Sequence, residues 1–196
     1  MDQIRSFVAI ELEDELKQEL RQLQRDLSSR GIRDEVRWVK PEGMHLTLKF
    51  LGNVPADRIE PIELTLTQAC EGAHRFTIGL RGLGCFPNLS RPNVIWVGVV
   101  GDIDPLCALQ RSIEQHLATL GYAPEKRAYT PHLTLGRVAR NVAPRQRRRI
   151  GELIERTAVD TLGEMATREI NLMRSDLSPS GATYTRLASV PLEEED

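Results

Sequence analysis

The tetrapeptide His-Leu-Thr-Leu occurs twice in this chain, at residues 45–48 and again at residues 132–135. Apolar and polar residues alternate through both copies, which is the pattern of a β-strand with one buried face. Because residues two apart in a strand point to the same face, each copy places a histidine beside a threonine and turns its leucines toward a core. Two such strands lying side by side would bring two imidazoles and two hydroxyls together.

This set of side chains is suited to chemistry at a phosphate. Histidine titrates near neutral pH, so one imidazole can activate water as a general base while the other protonates a leaving oxygen. A threonine hydroxyl lies roughly 6.5 Å along the strand from its histidine and can donate to phosphate oxygens that gain charge in the transition state. We therefore predict His45 and His132 as catalytic residues and Thr47 and Thr134 as phosphate-binding residues. A single copy would more often be structural, so the prediction rests on the repetition.

Arg137 is a further candidate for substrate binding. Strict alternation from His132 would place it on the face of Leu133, in the core, where an unpaired guanidinium is costly. A glycine inside a strand often marks a β-bulge, and a bulge at Gly136 would turn Arg137 back toward the cleft. There it could meet a phosphate or stack on a base. The alternative is that the strand ends at Gly136 and Arg137 lies in solvent.

The bulk composition is that of an ordinary globular domain of 196 residues, with 40% hydrophobic residues, 28% charged residues and a net charge of −2. We expect a single domain over residues 1–196. The charge gives no global argument for duplex nucleic-acid binding, so any RNA contact is expected to be local. No stretch has the length of a transmembrane helix, and the N-terminus lacks signal-peptide features, so we expect a cytoplasmic protein without membrane contact. We expect it to act as a monomer.

Neither a metal site nor a disulfide framework is indicated. The three cysteines, Cys70, Cys85 and Cys107, are odd in number and lack Cys-x-x-Cys spacing, so reduced core thiols are expected. No Asp, Glu and His cluster has ligand spacing. We therefore predict no metal and no cofactor.

Periodicity predicts mixed α and β structure along the chain. Apolar residues at helical spacing predict helices around residues 16–27, 59–69, 106–120 and 144–158. Alternation predicts strands around 4–11, 36–39, 44–51, 76–85, 94–100, 132–136, 169–177 and 183–187. A turn is predicted over residues 178–181, and the acidic residues 193–196 are expected to be a solvated tail. Since the motif strands come from different halves, each near a helix, the order suggests a duplicated α+β unit.

The chain resembles the RNA 2′,3′-cyclic phosphodiesterase branch, or 2′-5′ RNA ligase (LigT-like) branch, of the two-histidine (2H) phosphoesterase superfamily. The resemblance covers nearly the whole chain and is carried by residues 5–10, 36–52, 86–97, 129–137 and 175–184. It implies a two-lobed, pseudo-twofold α+β fold, with two antiparallel sheets facing a central cleft and helices outside. It also implies His45 as the general acid and His132 as the general base, although the symmetry of the motifs keeps the reverse assignment open.

The activity that the resemblance implies is metal-independent hydrolysis of RNA 2′,3′-cyclic phosphate ends, or of small cyclic nucleotides, to 2′-phosphates. Ligation by the reverse chemistry would use the same residues, and a non-catalytic RNA-end binding module would keep the same pocket. The basic run at residues 145–149 is either the solvated face of a helix or a guide for an RNA backbone.

Overall fold

The computed structural model describes residues 2–178 and 181–194 and contains four α-helices and nine β-strands within them. In chain order these are β1 (Gln3–Glu11), α1 (Asp14–Ser29), β2 (Val36–Trp38), β3 (His45–Pro55), α2 (Ile59–Ala69), β4 (Phe76–Phe86), β5 (Val94–Gly101), α3 (Ile103–Thr119), β6 (His132–Val138), α4 (Pro144–Arg156), β7 (Glu164–Thr167), β8 (Glu169–Ser178) and β9 (Gly181–Pro191). Short 3₁₀ turns at Pro41–Gly43 and Ala56–Arg58 precede β3 and α2.

The strands form two antiparallel sheets. The first sheet has the order β3-β1-β8-β9, and the second sheet has the order β2-β6-β5-β4-β7. One motif strand therefore lies in each sheet, as the duplicated α+β architecture predicts. The predicted fold class is confirmed.

A short connection brings the two motif strands together. Strand β2 pairs with the motif strand β6 in the second sheet, and the chain then passes through the Pro41–Gly43 turn into the motif strand β3 of the first sheet. Because only six residues separate β2 from β3, the first motif must start close to the edge of the second sheet.

The predicted helical stripes face the core. In α1 the buried leucines are Leu16, Leu20, Leu23 and Leu27, and in α3 the buried apolar residues are Leu106, Leu109, Ile113 and Leu117. Each stripe follows the i, i+3, i+4 spacing that turns one face of a helix toward a sheet. Burying an apolar side chain of this size stabilises the fold by about 1.5–3 kcal/mol.

The other face of the first sheet carries a separate small cluster. Phe7, Ala9 and Met173 are buried together, with Tyr184 packed against them, and they are not part of the main core. Residues 7 and 9 of β1 alternate with Val8 and Ile10, which belong to the main core. The first sheet thus packs its helices on one face and presents an aromatic surface on the other.

The structure corrects the sequence prediction in two places. Strand β7 was not predicted, because only Met165 and Thr167 are buried in its four residues and alternation needs a longer run. Glu193 and Glu194 of the C-terminal segment are exposed, as predicted, but the segment is also anchored, because the main chain of Glu193 bonds Ala73 and Arg75 at 2.9 Å each. Residues 195 and 196 lie outside the described residues. Residues 179 and 180 of the predicted turn lie outside the described residues. None of the described helices is long and apolar enough to cross a membrane.

Candidate active site

Both motifs place the histidine and threonine on one face of a strand. In β3, His45 and Thr47 are partly exposed while Leu46 and Leu48 are buried, and β6 repeats this pattern from His132 to Leu135. On the first sheet, Thr47 lies opposite Ala9 of the aromatic face. The predicted division between a polar face and a core face is present in both copies.

The two histidines are held in the same way. The Nδ1 atom of His45 lies 2.9 Å from the Gly43 carbonyl, and the Nδ1 atom of His132 lies 2.7 Å from the Thr130 carbonyl. A carbonyl only accepts, so in each case Nδ1 carries the proton and donates it. The Nε2 atom is then the one left for chemistry on both rings, and each ring is oriented by the carbonyl two residues before it.

His45 sits in an aromatic enclosure. Its ring stacks on Phe7 with 4.5 Å between centroids and meets the edge of Tyr184 at 4.9 Å. Burial lowers the pKa of His45 from 6.5 to about 4, although the Gly43 carbonyl and the charge of Glu11 act in the opposite direction. His45 is therefore neutral at pH 7 in the free protein.

His132 has different neighbours. Its ring meets the edge of Phe86 at 4.8 Å between centroids, and Trp96 lies 6.2 Å away. Trp96 pairs with Thr134 across β5 and β6, so it shares the face of the second motif. The two histidines have the same hydrogen bond but unlike surroundings, which gives the pair the chemical asymmetry that an acid and a base need.

The two threonine hydroxyls are free to bind a ligand. In the part of the chain that the structure describes, neither Thr47 nor Thr134 uses its hydroxyl in a hydrogen bond, and both residues are partly exposed. A hydroxyl on the same face as an unpaired imidazole nitrogen is a donor for an oxyanion.

Strand β6 contains the predicted bulge. Trp96 pairs with Thr134 and Ile95 pairs with Gly136, so Leu135 is the extra residue. Beyond the bulge Arg137 is exposed and Val138 is buried, which puts Arg137 on the face of His132 instead of in the core. The prediction of a bulge at Gly136 is confirmed.

Arg137 also lies within electrostatic range of the first sheet. Burial raises the pKa of Tyr184, and the positive charges of Arg137 and Arg5 act to lower it. Tyr184 contacts His45, so Arg137 of the second motif strand approaches the surroundings of His45. Sequence reasoning did not identify Arg5 or Tyr184 as neighbours of the site, since neither belongs to a repeated motif.

Strand β3 has a matching bulge that the sequence did not reveal. Val8 pairs with Lys49 and Ala9 pairs with Thr47, so Leu48 is the extra residue, as Leu135 is in the second motif. Lys49 then turns into the interior and forms a buried ion pair with Glu114 of α3. Its Nζ also donates to the Ala123 carbonyl at 3.0 Å.

No group of three or more His, Cys, Asp and Glu residues that could hold a metal ion occurs within residues 2–178 and 181–194. Cys70 and Cys85 are free, buried thiols, and burial raises the pKa of Cys85 to about 11.

Comparison with known proteins gives two matches to one family. The LigT like phosphoesterase family matches this chain over residues 10–96 and again over residues 97–184. The chain belongs to the LigT-like phosphoesterase family. Each match covers one His-x-Thr motif, which agrees with an internal duplication.

Several members of this family are similar along nearly the full chain. The RNA 2′,3′-cyclic phosphodiesterase of Methanothermobacter thermautotrophicus is 37% identical over 182 residues, covering 93% of this chain and 95% of the relative. The protein of the same name from Thermotoga maritima is 30% identical over 190 residues, covering 97% and 96%.

Solved structures share the LigT-like fold. A crystal structure of a protein from Thermus thermophilus has a TM-score of 0.76 at 27% identity and covers 98% of this chain and 100% of that chain. The structure of E. coli LigT complexed with 3′-AMP has a TM-score of 0.75 at 24% identity, covering 97% and 99%.

Within the LigT-like unit, two buried glutamines support the bulges. Gln24 of α1 donates its side-chain amide to the Leu135 carbonyl at 2.8 Å and to the Val39 carbonyl at 2.7 Å. Gln110 of α3 donates to the Leu48 carbonyl at 3.4 Å. Each helix thus binds the bulged leucine of the motif strand from the opposite half. No sequence motif marks these residues.

One arginine of the basic run at residues 145–149 has a structural role. Arg147 donates to four main-chain carbonyls and to the Asn93 side chain, with the shortest bonds at 2.8 Å, to Pro92, Asn93 and Ala139. It therefore fixes the end of β6 to the start of β5. Arg149 instead lines a surface cavity with Arg30 and Arg156, away from both motif strands.

Proposed function

We propose that this protein hydrolyses 2′,3′-cyclic phosphates at RNA ends, or in small cyclic nucleotides, to 2′-phosphates without a metal. The observation that carries the proposal is the matched orientation of His45 and His132, each with Nδ1 bonded to a carbonyl and Nε2 free. The activity named for relatives at 30% and 37% identity over most of their length supports the choice of substrate. One chain supplies both motifs, so we expect a monomer to be active.

The reaction needs two proton transfers on opposite sides of phosphorus. The Nε2 atom of His132 takes a proton from water as the water oxygen attacks the phosphorus. The bond between phosphorus and the 3′-oxygen breaks, and His45 Nε2 gives its proton to that oxygen, leaving a 2′-phosphate and a 3′-hydroxyl. Each transfer typically contributes about 10²–10⁴-fold to the rate.

For His45 to act as the general acid, substrate binding must favour the protonated form of the His45 imidazole. Its pKa of about 4 in the free protein leaves it neutral at pH 7, whereas a general acid must carry a proton. A bound cyclic phosphate brings a negative charge beside the ring, and a nearby opposite charge favours the protonated imidazole. The carboxylate of Glu11, opposite His45 in the sheet, acts in the same direction.

Thr47 and Thr134 donate to the non-bridging phosphate oxygens in this proposal. Those oxygens gain charge during attack, and one well-placed donor contributes about 2.7–4 kcal/mol to transition-state stabilisation. Arg137 adds a permanent positive charge at the edge of the same face, where a guanidinium can bind phosphate through two parallel bonds.

The decisive assay is turnover of 2′,3′-cyclic AMP in excess chelator, with the product identified as the 2′-phosphate. We expect the parent to be active, His45→Ala and His132→Ala to lose nearly all activity, and His74→Ala, an exposed histidine outside both motifs, to match the parent. Activity that disappears in chelator and returns with zinc or manganese would overturn the mechanism. Binding without turnover would identify an RNA-end binding module.

A second assay separates acid from base. A leaving group of low pKa needs little protonation, so an aryl phosphodiester should partly restore turnover to the variant that lacks the general acid. We expect rescue of His45→Ala. Rescue of His132→Ala would reverse the assignment. Joining of cyclic-phosphate RNA to a 5′-hydroxyl RNA, measured in parallel, would reveal ligation by the same residues.

A further inference from the structure

Arg186 of β9 binds carboxylates from two other strands of the first sheet. Its Nε atom donates to Glu11 Oε2 of β1 at 2.7 Å, and its Nη2 atom lies 2.5 Å from the same oxygen. Its Nη1 atom lies 3.2 Å from Glu169 Oε1 of β8 and donates to Ser189 Oγ at 3.4 Å. One guanidinium therefore binds two carboxylates, a geometry that its planar arrangement of donors allows.

Glu11 is the cross-strand neighbour of His45. The two residues pair where β1 ends and β3 begins, and such partners have Cβ atoms about 4.5–5.5 Å apart. The charge of Glu11 favours the protonated form of the His45 ring. Within the described residues, however, the Glu11 carboxylate bonds Arg186 and forms no ion pair with His45. The carboxylate opposite the first motif histidine is thus bound to another cation.

Two aromatic rings cover the His45 imidazole, and the Gly43 carbonyl accepts its Nδ1 proton. One ring belongs to Tyr184, whose pKa is raised by burial, so its hydroxyl is uncharged at pH 7. The cations that act on Tyr184 are Arg137 and Arg5. Among the described residues, the carboxylate opposite His45 is therefore the group whose charge favours a proton on this ring.

We propose that Arg186 is a positioning residue that holds the Glu11 carboxylate away from His45, so that the imidazole is neutral until a phosphate arrives. This inference rests on the proposed function for its catalytic consequence. A carboxylate free to approach the ring would favour the protonated imidazole even without substrate. Because Arg186 binds that carboxylate, the negative charge that favours the proton has to come from the substrate. Proton uptake at His45 is then linked to phosphate binding.

The test is an NMR titration of the histidine rings in the free protein, for the parent, Arg186→Met, Glu11→Gln and the double variant. Arg186→Met should increase the proton affinity of His45 by about 1.4- to 5-fold, the range of a single exposed ion pair. Glu11→Gln should decrease it, and in that background Arg186→Met should have a much smaller effect. Arg186→Lys, which keeps a positive charge beside Glu11, should restore most of the parent titration.

Arg174→Met is the matched control. Arg174 lies on β8 of the same sheet and pairs with Asp176 at 2.8 Å, and its side chain is 47% exposed against 49% for Arg186. Losing this pair should leave the His45 titration as it is in the parent. An unchanged His45 titration in Arg186→Met would overturn the proposal. So would an equal shift with and without Glu11, since Arg186 would then act on the ring directly.

Kinetic measurements keep this inference separate from the proposed function. With 2′,3′-cyclic AMP, the kcat/KM limb that belongs to His45 should move to higher pH in Arg186→Met, by the amount that NMR gives. If the parent turns over no cyclic phosphate, the proposed function fails and the NMR titration still decides the role of Arg186. An active parent whose kcat/KM limb and NMR titration both stay in place in Arg186→Met would contradict this inference alone.

Discussion

The hydroxyl of Tyr129 donates a hydrogen bond of 3.1 Å to the main-chain carbonyl of Thr47. Tyr129 precedes His132 by three residues, and Thr47 follows His45 by two, so this bond joins the two His-x-Thr motifs directly. Strand β3 lies at the edge of the first sheet, and Tyr129 donates to one of its main-chain carbonyls from the other half of the chain. Burial raises the pKa of Tyr129, so its hydroxyl remains a donor at all working pH values.

Tyr129→Phe should therefore lower both stability and turnover. An unpaired carbonyl at a partly buried site costs about 1–3 kcal/mol, and the motif strands lose one link that sets their spacing. Tyr122→Phe is the matched control, because Tyr122 packs on the core without a hydroxyl bond to the described residues. Urea unfolding and kcat measure the two effects. A kcat unchanged in Tyr129→Phe would show that the spacing does not depend on this bond.

The pH dependence of turnover should show the low pKa of His45. The proposed reaction needs His45 protonated and His132 neutral, so kcat/KM should be bell-shaped in pH, with one limb near the His45 pKa of about 4 in the free protein. The corresponding limb of kcat should lie at higher pH, since bound phosphate favours the protonated ring. Glu11→Gln should move the kcat/KM limb to lower pH, whereas Glu13→Gln should not. A limb near pH 4 that stays in place in Glu11→Gln would show that it does not report the titration of His45.

Replacement of the buried glutamines should loosen the motif strands. Gln24→Met keeps the length of the side chain and leaves the Val39 carbonyl without a partner, at a cost of about 1–3 kcal/mol in unfolding free energy. Gln110→Met should act similarly through Leu48. Gln22→Met, on the exposed side of α1, should have almost no effect. Equal stability of Gln24→Met and Gln22→Met, measured by urea unfolding, would refute a supporting role.

The buried pair of Lys49 and Glu114 should behave as a unit. Lys49→Met alone leaves a buried carboxylate without its partner, and such losses cost about 3–5 kcal/mol. Combining Lys49→Met with Glu114→Leu removes both charges and should recover a large part of that loss. A double-mutant cycle by chemical denaturation measures the coupling. Additive losses from the two single changes would show that the pair is not coupled.

Arg137→Lys should weaken turnover clearly, although less than the loss of a histidine. Lysine keeps the charge but not the planar, bidentate guanidinium. The comparison is with Arg140→Lys, an exposed arginine beyond the end of β6. Steady-state kinetics on an RNA with a cyclic phosphate end provide the measurement. Parent-like activity of Arg137→Ala would show that this residue is only a solvated strand end.

Local sequence patterns predicted most of the helices and strands, because the periodicity of apolar residues depends on positions close together in the chain. Alternation at His45 and His132 identified the motif strands, and Gly136 identified the bulge that reorients Arg137. The bulge at Leu48 could not be predicted, because Lys49 stands where the second motif has its glycine. Lys49 at this position forms its buried ion pair with Glu114 of α3, which is distant in sequence.

The roles of Gln24 and Gln110 could not be predicted for a similar reason. A polar residue on a helix is usually solvated, and only the packed structure shows that each one meets a strand carbonyl from the other half. The aromatic enclosure of His45 likewise combines β1 and β9, whose residues Phe7 and Tyr184 are far apart in the chain. The repeated motif therefore predicts the candidate histidines and threonines, whereas no repeated pattern indicates Gln24, Gln110 or Tyr184.

Each half of the chain contributes strands to both sheets, so the two halves have to fold together. Residues 10–96 supply β4 to the second sheet, and residues 97–184 supply β8 to the first. In addition, Gln24 and Gln110 each donate a hydrogen bond to a main-chain carbonyl in the other half. A lone half would have one motif histidine, an incomplete sheet and a buried amide without its carbonyl partner from the other half. Two separately expressed halves should consequently be unfolded alone and regain structure and turnover together, as an obligate strand-exchanged heterodimer.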